Sequence, residues 1–289
     1  MRRNNVFWGI IFLSPQLIGL LAFSIIPLFS ALGLSFMECD GFGERAFVGL
    51  ENFVFQFTNS DFWTSVVNTL IYSIITIPFG LTISLLLALA LNKITGKEFY
   101  RLFYFMPVVT SSVSIGVIWM WILNGDIGIL NQILEMVGIE GPKWLTNTSL
   151  VMVSIAMLSI WWPLGYNMVI FLAGLQGIPQ SYYEAADIDG ASKFQKFRHI
   201  TLPLLSPTTF FVTIMAIIGS FQVFDQAFVM TQGGPGKASY TIVYHIYDNA
   251  FVDFKFGESS AAAMILFVVI LIFTLVQFAL QKRWVHYED

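Results

Sequence analysis

The residues able to do chemistry here are few, and they sit inside apolar runs. Gln222, Asp225 and Gln226 lie in one such run, and the spacings of three and four put them on one face of a helix. Trp161, Trp162, Tyr166 and Asn167 lie in a second, and Asn68 and Thr69 open a third. Polar groups held at membrane depth face a bundle interior or a cavity and default to a functional reading. Amides and one carboxylate bond hydroxyl groups, while aromatic rings stack on the apolar faces of sugars. This set therefore suits an uncharged, polyhydroxylated ligand. The competing reading is that Asn and Gln join helices by bonding across them. It is preferred for Asn68 and Asn167, whereas Gln222 and Asp225 read better as cavity lining. Asp225 is expected five residues from the outer end of its span.

Chemistry of other kinds finds no support. His199, His245 and His286 fall in three different loops, and neither Gly-x-Ser-x-Gly nor His-Glu-x-x-His occurs. Gly233-Gly-Pro-Gly-Lys-Ala-Ser resembles a phosphate loop only superficially. The first glycine position is Thr231, and Ala238 follows Lys237 where a hydroxyl should hold magnesium. A tight turn explains it better. The single cysteine, Cys39, permits no intramolecular disulfide and no cysteine metal site. The expectation is a chain that is not an enzyme and carries no metal or cofactor.

The elements that must position these residues follow from composition. Of 289 residues, 56% are hydrophobic and only 11% charged, with a mean hydropathy of +0.74. Soluble domains average about 25% charged residues, so this is an all-α integral membrane protein. Six runs are long enough to cross a bilayer: residues 7–36, 66–91, 102–123, 150–175, 208–230 and 261–280. Pro15 and Pro27 predict kinks in the first, and Pro107 with Thr110-Ser-Ser weakens the start of the third. The apolar run after Met1-Arg-Arg-Asn-Asn is too long for a signal peptide and reads as a retained anchor. The whole chain, 1–289, is expected to form one transmembrane domain.

Charge orients it. With the N-terminus inside, Arg2, Arg3, Lys93, Lys97, Arg101, Lys193, Lys196, Arg198, Lys282 and Arg283 lie inside. Only Arg45, Lys143, Lys237 and Lys255 lie outside. Eleven acids fall outside and six inside, with Asp225 in a span. The positive-inside rule then places both termini in the cytoplasm. The outer loops, Met37–Ser65, Asn124–Ser149 and Thr231–Ser260, are rich in aromatic residues and read as amphipathic segments at the outer interface. No internal repeat is evident.

This orientation puts one polar stretch, residues 179–205, on the cytoplasmic side. It reads as two short helices with a turn at Gly190. Ser181 with Glu184, and Ser192 with Gln195, have capping-box spacing. Gly190 can take a positive φ and stop the first helix. Pro203 and Pro207 favour a break before the next apolar run. Small Ala185 and Ala186 allow close approach to another surface.

Glu184-Ala-Ala, three residues, Gly190, nine residues and Ile200-Thr-Leu-Pro203 together resemble the full EAA motif of binding-protein-dependent ABC importer permeases. Ser14-Pro-Gln, Ile26-Pro, Leu34-Ser-Phe, Asn68-Thr-Leu, Phe221-Gln-Val-Phe-Asp-Gln, and Thr231 with Gly233-Gly-Pro-Gly, resemble the carbohydrate branch. Within it the chain is most similar to MalF-like and glycerol-3-phosphate-type first permeases, without the extra N-terminal spans and large insertion of MalF. The resemblance implies a six-helix MetI-like core in a bacterial or archaeal cell membrane. It implies that Glu184, Ala185, Ala186, Asp189, Gly190, Ile200, Leu202 and Pro203 form a coupling segment seated in a cytoplasmic ATPase. ATP and magnesium would bind that ATPase, of which two copies are implied. A second homologous permease and an extracellular or periplasmic solute-binding protein complete the implied partners. Import of a sugar or oligosaccharide is the leading expectation. Import of another small polar solute, such as glycerol phosphate, is the alternative, with a stand-alone secondary transporter behind it. The substrate-path candidates are Asn68, Trp161, Tyr166, Asn167, Gln222, Asp225 and Gln226.

Overall fold

The computed structural model describes residues 2–41, 43, 45–94 and 96–285. Of the titratable residues considered above, Glu44, His286, Glu288 and Asp289 lie outside the described residues. Helix α1 (Arg2–Leu20) runs through a π turn (Leu21–Ile25) into α2 (Ile26–Leu34). Pro27 has no N–H to give its preceding turn, and the chain widens there, with the Ile26 N–H bonded to Leu21 O. Strand β1 (Met37–Glu38) pairs antiparallel with β2 (Ala46–Phe47), Met37 opposite Phe47. Helices α3 (Glu51–Thr58), α4 (Ser60–Asn92) and α5 (Lys97–Phe105) follow, then a 3-10 turn (Met106–Val109), α6 (Ser112–Ile122) and α7 (Ile129–Met136). Next come α8 (Val151–Trp161), α9 (Leu164–Gly177) and α10 (Gln180–Ile188). Helix α11 (Lys193–Lys196) passes through a π turn (Phe197–Thr201) into α12 (Leu202–Leu204) and α13 (Ser206–Phe221). The chain ends with α14 (Asp225–Thr231), α15 (Ile242–Phe251) and α16 (Phe256–Trp284).

Three stretches are single helices long and apolar enough to cross a bilayer: 10–34, 60–92 and 256–284. Three more exist as bent pairs, 98–109 with 112–122 at 98°, 151–161 with 164–177 at 47°, and 193–204 with 206–221 at 64°. Counting each pair as one span gives six. The runs 102–123, 150–175 and 208–230 are thus not continuous helices, as the sequence reading had them. The reason is local. Pro107 lies in the 3-10 turn and Pro163 in the α8–α9 junction, where each removes a backbone donor. The break at Gln222–Phe224 has no proline; Phe224 leaves the helical region at φ −138°, ψ −61°. Backbone freed at such breaks needs other partners. Trp162 Nε1 donates to Pro107 O at 2.9 Å, and Thr241 Oγ1 to Val223 O at 2.9 Å.

The chain divides into two compact units, residues 1–62 with 245–268, and residues 63–244 with 269–289. In the first, residues 10–34 are mostly apolar yet mostly exposed, with Phe12 and Phe23 the barest. That pattern belongs to a membrane-facing helix. A buried polar knot closes this unit. Asn52 donates to Ser35 O at 3.0 Å and Met37 O at 2.9 Å, and Gln56 to Glu258 O at 3.0 Å. His245 Nε2 meets Gln56 Oε1 at 2.9 Å and Asn249 Nδ2 at 3.0 Å. The stretches read from sequence as amphipathic loop segments contain the short helices α3, α7 and α15, α3 in this unit, α7 in the other and α15 with residues in both.

The second unit holds two apolar cores. One gathers Ile115, Leu123, Ile155, Leu158, Val223 and Ala227 around Tyr72. The other packs Ala88, Leu91, Met168, Phe171, Leu175 and Leu205. The inward stripe of α4 is polar and small. Ser65, Thr69, Ser73, Thr76 and Ser84 are buried, and Thr69, Ser73 and Thr76 bond carbonyls four residues back. Such residues let membrane helices approach closely. Gly165 is the tightest approach, since a Cβ there would lie 2.0 Å from the backbone oxygen of Tyr104.

Candidate functional site

Two features of the second unit carry the candidate chemistry. The first is a cavity of about 300 Å³. Its wall includes Tyr72, Thr76 and Gly80 of α4, then Ser159 of α8 and Trp162 at the α8–α9 break. Tyr166 and Asn167 of α9, Ser220 of α13 and Gln226 of α14 complete the polar lining. A second cavity of about 210 Å³ shares Tyr72, Gly219 and Gln226 with it and adds Gln222, Phe224 and Asp225. Both helix breaks, at Trp162–Pro163 and at Gln222–Phe224, open onto this space. Irregular backbone at membrane depth is tolerated where it is buried in protein or lines a cavity, so the breaks and the cavity explain each other. The lining offers phenol, indole, amide and hydroxyl groups and one carboxylate.

The expected single helical face for Gln222, Asp225 and Gln226 is not what joins them. Gln222 is the C-cap of α13 and Asp225 starts α14, so the break itself brings them to one wall. Asp225 accepts a 2.5 Å hydrogen bond from Ser112 Oγ at the start of α6. Helix N-termini favour a carboxylate there. Asn167, Tyr166 and Gln226 line the larger cavity. Two candidates stand apart. Trp161 lies against Trp119 with ring centres 5.8 Å apart. Asn68 spends its amide on Lys237 O at 2.8 Å and Tyr240 O at 3.1 Å, which holds the Gly233–Gly236 loop. Sequence reasoning missed Tyr72, Thr76, Ser159 and Ser220. For Tyr72 and Thr76 the signal was the hydroxyl stripe along the second span, which reads as ordinary membrane-helix packing; Ser159 and Ser220 lie on α8 and α13, outside that stripe.

The second feature is the polar hairpin of residues 179–205. Its first helix, α10, starts directly after Pro179, which takes the N-cap position without a side-chain cap. The expected Ser181–Glu184 capping box is therefore not formed. The residue before proline is held extended, and Ile178 has ψ 120°; with Pro179 at the N-cap, the helix begins two residues too early for Ser181 to cap it. Glu184 stands exposed in mid-helix. The second box is formed: Ser192 Oγ accepts from the Gln195 N–H at 3.3 Å, and Gln195 Oε1 from the Ser192 N–H at 2.7 Å. Gly190 has φ +73°. The Ala191 N–H reaches Ala186 O at 2.9 Å and the Gly190 N–H reaches Asp187 O at 3.1 Å, the paired bonds of a Schellman stop.

Two side-chain ties lock the two helices together. Lys196 Nζ lies 2.6 Å from Asp187 Oδ1, and Tyr183 Oη lies 3.0 Å from Thr201 Oγ1. His199 Nδ1 meets the local Gln195 O at 3.1 Å. Ala185, Asp189 and Gly190 are exposed, Ala186 is half-buried, and Ile188 is bare at 88%. Phe194 is exposed as well. By contrast Ile200 and Pro203 are half-buried beside buried Thr201, with Leu202 exposed, and Leu205 enters the second core. The Ile200–Pro203 run is the root of the hairpin, and the α10 end is its tip.

Comparison with known proteins agrees with this architecture. The family model of the binding-protein-dependent transport system inner membrane component matches residues 80–286. The probable ABC transporter permease protein YesP of Bacillus subtilis is 37% identical, over 100% of this chain and 94% of the relative. The sn-glycerol-3-phosphate transport system permease protein UgpA of Agrobacterium fabrum is 36% identical, over 95% and 94%. The arabinooligosaccharides transport system permease protein AraP of Bacillus subtilis is 34% identical, over 93% and 87%. In fold, the chain matches a chain of a bacterial ABC transporter involved in the import of the acidic polysaccharide alginate, with TM-score 0.83, 23% identity and 98% and 96% coverage. On these grounds the chain belongs to the binding-protein-dependent transport system inner membrane component family, as a permease subunit of an ABC importer with a MetI-like fold.

Proposed function

We propose that this permease passes an uncharged sugar or oligosaccharide through the Tyr72–Asn167–Gln226 cavity, driven by an ATPase that grips the 179–205 hairpin. As a permease subunit it does not hydrolyse ATP itself; that activity resides on the partner. The observation that carries the coupling role is the doubly tied hairpin. A short loop in a chain of this composition would ordinarily be mobile. This one is stopped by a Schellman motif, capped at Ser192 and cross-linked by Asp187–Lys196 and Tyr183–Thr201. Its exposed tip, Ile188 with Ala185, Asp189 and Gly190, is the surface offered to the ATPase, and Phe194 flanks it. Ile200, Leu202 and Pro203 serve the hairpin's root, and Glu184 stands exposed on the helix that carries the tip.

The solute class rests on the cavity lining. Rings from Trp162 and Tyr166 offer stacking faces, and Asn167, Gln226, Thr76 and Ser220 offer hydrogen bonds. A phosphorylated solute calls for a cation, and the lining presents hydroxyls, amides and a carboxylate instead. The glycerol phosphate reading keeps one support, the 36% identity to the Agrobacterium permease of that name. Gln222, Asp225 and Tyr166 stay exposed in the single chain. That suits half of a pathway, closed by a second homologous permease, with a solute-binding protein delivering from outside. Six spans and cytoplasmic termini in a bacterial or archaeal cell membrane complete the reading. The test is co-purification. A tagged chain should retain a cytoplasmic ATPase and a second permease, and a solute-binding protein loaded with sugar should stimulate hydrolysis. Stimulation only by a binding protein loaded with a phosphorylated solute would overturn the sugar assignment while leaving the coupling role intact.

A further inference from the structure

A third cavity, of about 810 Å³, lies between the end of α4, the α9–α10 turn and the inner side of the hairpin. Lys93, Lys193 and Lys196 line it, with Asp187 as the one acid. Asp187 is already neutralised by Lys196 at 2.6 Å. Among the described residues Lys93 and Lys193 make no ion pair, and both are exposed. Asn92, Gln176, Gln180 and Tyr183 add polar groups, while Leu89, Leu175 and Ile178 form an apolar margin. We infer that this cavity holds the phosphate-bearing headgroup of an anionic phospholipid, with Lys93 and Lys193 as the charges that bind it.

Three observations carry the inference. The first is sign: the lining has two cations in excess. The second is depth. Lys93 follows directly on the long apolar α4 and precedes α5, whose Phe99, Tyr100, Leu102 and Phe103 are exposed. Exposed aromatic residues beside a span mark the headgroup level of a bilayer, and basic pockets between membrane helices on the cytoplasmic side bind acidic headgroups. The third is the apolar margin, which continues from the polar floor toward the second core. It suits a glycerol backbone and the start of an acyl chain, and gives nothing to a free phosphate ion. The bound headgroup would bridge α4 to the hairpin, so lipid composition would bias how the hairpin sits under the membrane. The site is separate from the sugar pathway and needs no ATPase to be occupied.

Native mass spectrometry of the full-length chain in detergent tests this. The probes are phosphatidylglycerol, phosphatidylcholine of the same chain length, and inorganic phosphate. The wild-type chain should retain phosphatidylglycerol over phosphatidylcholine. Lys93→Gln with Lys193→Gln should weaken phosphatidylglycerol retention about twenty-five-fold, at about fivefold per lysine, and leave phosphatidylcholine unchanged. Lys282→Gln with Arg283→Gln, which removes two cations from the end of α16 outside the cavity, should leave the preference intact. Unchanged phosphatidylcholine binding also reports that the variants are folded. The inference is overturned if the α16 pair weakens retention equally, for then surface charge alone attracts the lipid. It is overturned as well if the wild type shows no preference. Inorganic phosphate binding with the same lysine dependence, and displacing the lipid, would reassign the site to a free anion.

Discussion

Ser112 Oγ donates to Asp225 Oδ2 across 2.5 Å, and the two residues are the first of α6 and of α14. Two helix N-termini therefore meet at one carboxylate, beside the cavity that Asp225 lines with Gln222 and Gln226. Asp225→Asn keeps an acceptor oxygen for Ser112 and removes the charge. It should leave the amount of chain in the membrane unchanged and slow uptake by about three- to tenfold, the size of the step from a charge-assisted to a neutral hydrogen bond. Ser112→Ala separates the roles. If it slows uptake as much as Asp225→Asn does, Asp225 works only by pairing the two helices.

Gly190 holds φ +73° with open space where a Cβ would stand. Gly190→Val thus strains the backbone and touches nothing. The left-handed conformation costs a branched residue about 1–2 kcal/mol or more. The stop after α10 should loosen, so that ATP hydrolysis and uptake become uncoupled while the chain still reaches the membrane. Uptake per ATP consumed, in proteoliposomes containing the whole importer, is the measurement. An unchanged ratio removes the coupling role from this turn.

The Asp187–Lys196 pair is half in solvent, with the aspartate side chain 64% exposed. Exposed pairs contribute between 0 and about 1 kcal/mol to stability. Asp187→Lys alone should therefore leave thermal stability nearly unchanged but splay the two hairpin helices and lower uptake. Adding Lys196→Asp should restore most of it, because the swapped charges can meet again. Failure of the swap with normal membrane levels would show that Asp187 acts by another contact.

Asn167 and Gln226 face the larger cavity from α9 and α14. Asn167→Ala and Gln226→Ala should each raise the half-saturating concentration for uptake about fivefold, the loss of about 1 kcal/mol of hydrogen bonding. Maximal uptake should change less. Asn68→Ala should behave differently, because its amide holds Lys237 O and Tyr240 O. It should lower the amount of functional chain and leave the half-saturating concentration as it was.

Gly165 supplies a stability test. Its missing side chain lets α9 approach the backbone of Tyr104, where a Cβ would sit 2.0 Å from the carbonyl oxygen. Backbone cannot give way as a flexible side chain can. Gly165→Val should destabilise the fold by about 3 kcal/mol or more, as overpacking combined with helix displacement does. Loss of the chain from membranes at normal transcript levels is the expected result.

What the sequence determined was everything encoded within a few residues or in sums. Apolar run lengths located the stretches whose helices, single or as bent pairs, are long and apolar enough to cross a bilayer. The Ser192–Gln195 spacing and Gly190 located a capped helix and a stop that the structure contains, because caps and positive-φ turns depend on neighbours three or four positions away. Even there, Pro179 overrode Ser181, since a proline constrains the residue before it more strongly than a hydroxyl recruits a helix start. The tertiary structure alone decided the rest. The cavity exists because two helices break at Trp162–Pro163 and Gln222–Phe224, and backbone freed at those breaks finds partners far along the chain, as Val223 O does in Thr241. Tyr72, Asn167 and Gln226 meet across separations that no local period records. The hairpin's ties, Asp187 to Lys196 and Tyr183 to Thr201, join two helices whose relative packing no spacing rule states. Local propensity set which elements form, and non-local packing set which side chains share a wall.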